Sequence, residues 1–229
     1  MASQWITIAP GFEGWLSLPP SGRGPGIVMV QEIFGVNRSI RETAELFASR
    51  GYVVLAPDVF WRQQPRIELG FDEASVKRAQ EFHKAFDYGR GVQDLGDAVK
   101  ALRARPECAG PVAVLGFCLG GTFAYLAAAR LPVDGGIAYY GTRIHQYLDE
   151  AASVRCPLLL HFGSADHNTP PEVVEKVRGA LGGKPGVQIH VYEGANHAFA
   201  NHLRTAYHAS HAALAHERSF EFLRGLTAR

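Results

Sequence analysis

Apolar positions fall into two rhythms along the chain: short continuous or alternating runs, and longer stretches where they recur every three or four residues. The first rhythm marks strands and the second amphipathic helices. Residues 5–9 and 14–18 alternate around Pro10-Gly11, which predicts an edge hairpin. The Pro- and Gly-rich residues 19–26 break the pattern. Ile27-Val-Met-Val30 predicts a buried parallel strand, and residues 52–56, cut by Pro57, predict a second. Between them Asn37 is placed to cap a helix over residues 38–50, with Ile40, Ala44, Phe47 and Ala48 on its apolar side and Gly51 at its end. Helices are predicted over residues 72–86 and 91–105, the second with Val92, Leu95, Val99 and Leu102 on one face. The apolar run from Val112 to Phe117 leads into a helix from Thr122 to Arg130. Strands over 136–140, 157–162 and 187–192 follow, with helices over 170–181 and 207–226. The last helix carries Ala213, Leu214, Phe220 and Leu223 on its predicted apolar side.

Strands alternating with helices predict an α/β fold, a mostly parallel twisted sheet with helices on both faces. No linker or internal repeat interrupts the pattern, so one domain is expected over residues 1–229. In such sheets the chemical groups sit just beyond the carboxyl ends of strands.

Composition narrows the function. The 229 residues are 47% hydrophobic and 20% charged, with 23 basic and 22 acidic side chains. With no long charged run, neither nucleic acid nor an anionic membrane is expected as a partner. Three cysteines are too few for a disulfide framework and fit a reducing compartment. The start of the chain lacks a charged and apolar leader, and no run nears the ~18 apolar residues of a membrane span. A cytoplasmic protein is expected, and nothing in the sequence requires more than a monomer. The ten histidines are scattered, and His202, His208, His211 and His216 read as members of a surface helix. No spacing suggests a metal site.

The residues after the predicted strands carry the chemistry. Gly116-Phe-Cys-Leu-Gly120 joins a strand to a helix, the pattern of the nucleophile elbow of α/β-hydrolases, with Cys118 where Ser is usual. Asp166 follows the strand over 157–162 and His197 follows that over 187–192. The order Cys118, Asp166, His197 is nucleophile, acid, base. Each has a plainer reading alone: a packed thiol, a turn aspartate, a loop histidine. Their joint occurrence in order at three strand ends favours a triad. Glu32 follows the strand over 27–30, where a buried carboxylate is costly unless paired or functional. It is expected to gate the thiol, and the plainer reading is a partner for a nearby Arg. Backbone N–H groups of Leu119 and Ile33 are the expected oxyanion donors.

These segments carry a resemblance. Gln31-Glu-Ile-Phe-Gly-Val-Asn37, Arg41-Glu-Thr43, Pro57-Asp58, Gly91-Val-x-Asp94, Gly116-Phe-Cys-Leu-Gly-Gly121, Tyr139-Tyr-Gly141, Gly163-x-x-Asp-His167 and His197-Ala-Phe-Ala200 resemble the dienelactone hydrolase (carboxymethylenebutenolidase) family over nearly the whole length. The resemblance implies a Cys–His–Asp triad, deprotonation of Cys118 by Glu32 on substrate binding, hydrolysis of dienelactone to maleylacetate in chlorocatechol breakdown, and no cofactor or metal. It also marks departures. Asn201 and Val76 stand where the family carries carboxylate-gripping arginines, and Ala198 stands for a Ser. An uncharged Asn does not replace a guanidinium fork. Phe34, Arg62, Tyr139 and Asn201 are the expected substrate contacts. The competing expectations are a broader carboxylesterase or thioesterase, a non-catalytic binding scaffold, and a thiol redox sensor.

Overall fold

The computed structural model describes residues 2–228, which form two compact units divided between Val112 and Ala113. The first unit opens with β1 (Ser3–Ala9) and β2 (Phe12–Ser17), the expected antiparallel hairpin turning at Gly11, whose φ is +77°. β3 (Gly24–Val30) and β4 (Val53–Pro57) run parallel, and the order is β1-β2-β4-β3. β3 starts earlier than the periodicity predicts. A Cβ at Gly24 would lie 2.0 Å from the Gly51 carbonyl oxygen, so this Gly belongs to a tight strand approach and not to a free turn.

Three helices belong to this unit: α1 (Arg38–Ser49), α2 (Glu73–Lys84) and α3 (Tyr88–Arg103). The Asn37 side chain caps α1 by accepting from Ile40 N–H, and the predicted apolar face, Ile40, Ala44, Phe47 and Ala48, is buried. α3 begins three residues before the expected position because Asp87 accepts from Arg90 N–H as its cap. Asp58 ties the loop after β4 by accepting from the N–H groups of Phe60 and Arg66, and burial holds its carboxyl up at about 6.

In the second unit the end of β5 (Cys108–Phe117) pairs in parallel with β6 (Gly135–Tyr139), then β7 (Leu158–Gly163) and β8 (Val187–Tyr192). α4 (Leu119–Arg130) and α6 (Ala209–Thr227) cover opposite faces of β6. A Cβ on Gly135 would meet Leu226 and Phe222 of α6, whereas one on Gly136 would meet Ala124 of α4. Successive strand residues face opposite ways, so the glycines let both helices approach. α5 (Pro171–Leu181) lies between β7 and β8 in sequence.

Two expectations are corrected here. A 3-10 segment at Ile144–Ser153, kinked at Tyr147, has no counterpart in the periodicity. In α6 the buried side holds Ala212, Ala215, Ser219, Phe220, Phe222, Leu223 and Leu226, while Ala213 and Leu214 face solvent. The inward stripe includes the polar Ser219, which an apolar periodicity passes over.

Candidate active site

Cys118 sits at the bend between β5 and α4 with φ +55° and ψ −111°, a strained conformation for a residue with a side chain. The bend is tight because Gly116 and Gly120 touch: a Cβ on Gly116 would lie 2.0 Å from the Gly120 oxygen. The Cys118 N–H donates to the Tyr139 carbonyl at 3.0 Å, which anchors the elbow to β6. α4 starts at Leu119, earlier than expected, so Cys118 stands at its N-terminus. The first N–H groups of a helix lack intrahelical acceptors and carry partial positive charge.

His197 reaches Cys118 by a side-chain hydrogen bond, and its Nδ1 lies 2.8 Å from Asp166 Oδ2. Asp166 also accepts from Asn168 N–H and from the Thr169 hydroxyl, both at 2.8 Å. Burial pushes the Asp166 carboxyl up, but the His197, Thr169 and Asn168 donors outweigh it, so its pKa lies below the ordinary value. Burial likewise pulls His197 down. The interaction with Cys118 and the Asp166 hydrogen bond overcome that and push it up to about 10. The Tyr140 ring packs edge-on to the imidazole, centroids 5.0 Å apart at 65°. The loops after β7 and β8 touch closely: a Cβ at Gly163 would lie 2.2 Å from the Ala195 oxygen.

The structure therefore brings Cys118, His197 and Asp166 into one chain of contacts, with the Leu119 N–H at the adjoining helix start. Tyr140, Asn168 and Thr169 were missed. Asn168 and Thr169 had a signal, since Asp followed by polar residues is an Asx-turn pattern. Tyr140 had none, because its contact depends on the turn after β6, where its φ is +41°.

The expected substrate contacts fare differently. Tyr139 is fully buried, and its hydroxyl meets Ser219 Oγ at 2.7 Å and His216 Nδ1 at 3.0 Å. It is an interior tie and not a group offered to substrate. His216, on α6, is half-buried. Asn201 is 5% exposed and accepts from Leu203 N–H. In the first unit, Glu32 is 3% exposed just beyond β3, followed by Ile33 and by Phe34, whose ring packs on Phe71 at 4.9 Å. Arg62 forks Asp94 at 3.1 and 2.8 Å and stacks 4.2 Å over Trp61, so a carboxylate already matches its charge. Among the described residues no helix is long and apolar enough to cross a membrane.

The mostly parallel strands, with Cys118 on the tight strand-to-helix turn and Asp166 and His197 beyond later strands, have the fold of an α/β-hydrolase. The chain belongs to the dienelactone hydrolase family, whose match extends over residues 12–227. A carboxymethylenebutenolidase of Pseudomonas putida is 38% identical over 219 residues, covering 95% of this chain and 93% of the relative. One from Pseudomonas sp. strain P51 is 36% identical over 93% of this chain and 90% of its own. A Klebsiella pneumoniae structure assigned by inference to the dienelactone hydrolases superposes with a TM-score of 0.85 at 27% identity, covering 96% and 97% of the two chains. The protein is thus a hydrolase of lactone or ester bonds.

Proposed function

We propose that the protein hydrolyses a small ester or lactone, dienelactone-like and yielding maleylacetate, through an acyl-thioester on Cys118. The observation that carries this reading is His197 hydrogen-bonded to Cys118 on one side and to the Asp166 carboxylate on the other. The Cys118 sulfur attacks the carbonyl carbon, and the carbonyl electron pair moves onto oxygen, received by the Leu119 and Ile33 N–H groups. As the tetrahedral intermediate collapses, the C–O bond breaks and the imidazolium of His197 protonates the departing oxygen. In a lactone that oxygen stays attached through the opened ring. Neutral His197 then takes a proton from water, whose oxygen attacks the thioester and releases the acid and the Cys118 thiolate, which takes its proton back from Glu32. Asp166 holds the His197 tautomer and stabilises its charge. Glu32 takes the thiol proton when substrate arrives, so that Cys118 is reactive only then.

Turnover of a p-nitrophenyl ester and of both dienelactone isomers tests this. Cys118→Ala is expected to lose at least about a thousandfold in kcat, and His197→Ala nearly as much. Glu32→Gln is expected to slow acylation and keep the fold. Undiminished turnover by Cys118→Ala would leave the protein a hydrolase by some other nucleophile.

A further inference from the structure

The face of the second unit under α6 carries a buried polar network that the chemistry above does not use. At its centre is His161 on β7, which is 0% exposed, with both ring nitrogens engaged. Its Nδ1 lies 2.9 Å from the Tyr192 hydroxyl and its Nε2 lies 3.1 Å from Ser219 Oγ. Counting protons orders the chain. Ser219 O–H donates to the Ala215 carbonyl at 2.9 Å, so its oxygen accepts from Tyr139 O–H and from His161 Nε2–H. His161 Nδ1 then accepts from Tyr192 O–H, and the Arg218 guanidinium lies over the Tyr192 ring, 5.4 Å from its centroid. From Tyr192 through His161 to Ser219 the donors point one way and end on a carbonyl of α6, with Tyr139 joining at Ser219. Such head-to-tail chains strengthen each bond in them. Burial, with the nearby charges of His190, His216 and Arg218, holds the His161 imidazole neutral, as this order requires.

The residues of this network stand one step below the catalytic turns. Phe117, Tyr139, His161 and Tyr192 form a row of rings across β5 to β8, with successive centroids 4.7, 4.5 and 5.7 Å apart. The carbonyls of its last three members receive the turns above them. Tyr139 C=O accepts from Cys118 N–H at 3.0 Å. His161 C=O accepts from Tyr140 N–H at 2.7 Å, and the Tyr140 ring backs His197. Tyr192 C=O accepts from Ser164 and Ala195, each two residues before Asp166 or His197.

We propose that His161 is a positioning residue, whose ring bonds set Tyr139, Tyr192 and its own strand relative to α6 and so fix where the Cys118, Asp166 and His197 turns meet. The proposal rests on the reading of those three as the triad. An apolar core would hold the sheet together as well. It would not tie three strand ends to one donor chain, and a displacement of about 1 Å in such a site costs on the order of a hundredfold in rate.

The test is His161→Phe, which keeps the ring and removes both bonds, with Tyr192→Phe and Ser219→Ala removing one bond each. Folding is followed by circular dichroism, rate by ester turnover, and the Cys118–His197 pair by the pH dependence of Cys118 alkylation with iodoacetamide. Folded His161→Phe is expected to lose about tenfold or more in kcat with KM nearly unchanged. Its alkylation profile is expected to move by about half a pH unit or more. His161→Gln, which restores a donor and an acceptor, is expected to recover part of both. A role in stability alone would lower Tm and leave kcat and the profile in place. That result overturns the proposal in whichever of the three variants is folded. A Cys118→Ala protein that keeps turnover overturns the triad reading instead.

Discussion

His197 lies between Cys118 and the Asp166 carboxylate, with its side chain 19% exposed. Burial lowers its pKa, and the interaction with Cys118 and the Asp166 hydrogen bond outweigh burial and raise it to about 10. The linkage follows in sign. The folded value lies above the ordinary 6.5, so the stabilisation is complete below about 6.5 and is lost as pH rises through about 10. Cys118→Ala removes the Cys118 interaction and leaves burial and Asp166 in place. The His197 ring signal in NMR is expected to titrate about one to three units lower in that variant than in the native chain. An unchanged titration would mean that Cys118 does not raise the His197 pKa. At this scale the nearness of Cys118, Asp166 and His197 was legible because each follows a strand. Tyr139 was misplaced because alternation tells which face a residue takes, and not that Ser219 and His216 wait on that face to bind its hydroxyl.

Among the elements, the β5–α4 elbow depends most on backbone room. Gly116→Ala places a carbon 2.0 Å from the Gly120 oxygen, and neither atom can rotate away. A loss of about 3 kcal/mol or more is expected, with Tm falling by several degrees and Cys118 turnover lost. A variant of native Tm and native rate would show that the bend relaxes easily. The glycines made this element readable from local spacing alone. Helix starts were less so: α3 begins at Tyr88 because Asp87 caps it, and α4 begins at the elbow itself. The 3-10 segment was missed because its kink at Tyr147 interrupts any helical period. α6 was placed, but its buried stripe was misjudged, since Ser219 lies inside and Leu214 outside. A polar network inside a core leaves no apolar signature.

For the molecule as a whole, near-neutral charge and the family match extending over residues 12–227 agree on a hydrolase of small molecules. The resemblance places carboxylate-gripping arginines where this chain has Asn201 and Val76. Arg62 is matched by Asp94, and Asn201 is uncharged. Asn201→Arg is expected to raise kcat/KM for a carboxylate-bearing lactone over a neutral p-nitrophenyl ester by about tenfold, an advantage that shrinks with added salt. A ratio that does not move would remove position 201 from substrate recognition. The central claim is a covalent acyl group on the Cys118 sulfur. The most direct measurement is acid quenching during turnover of a slow p-nitrophenyl ester, followed by mass spectrometry of the peptide containing Cys118. The account predicts a mass increase equal to the acyl group on that peptide, absent in Cys118→Ala. Turnover with the acyl group on another residue, or with none on Cys118 under conditions where a burst of nitrophenol is seen, would contradict it.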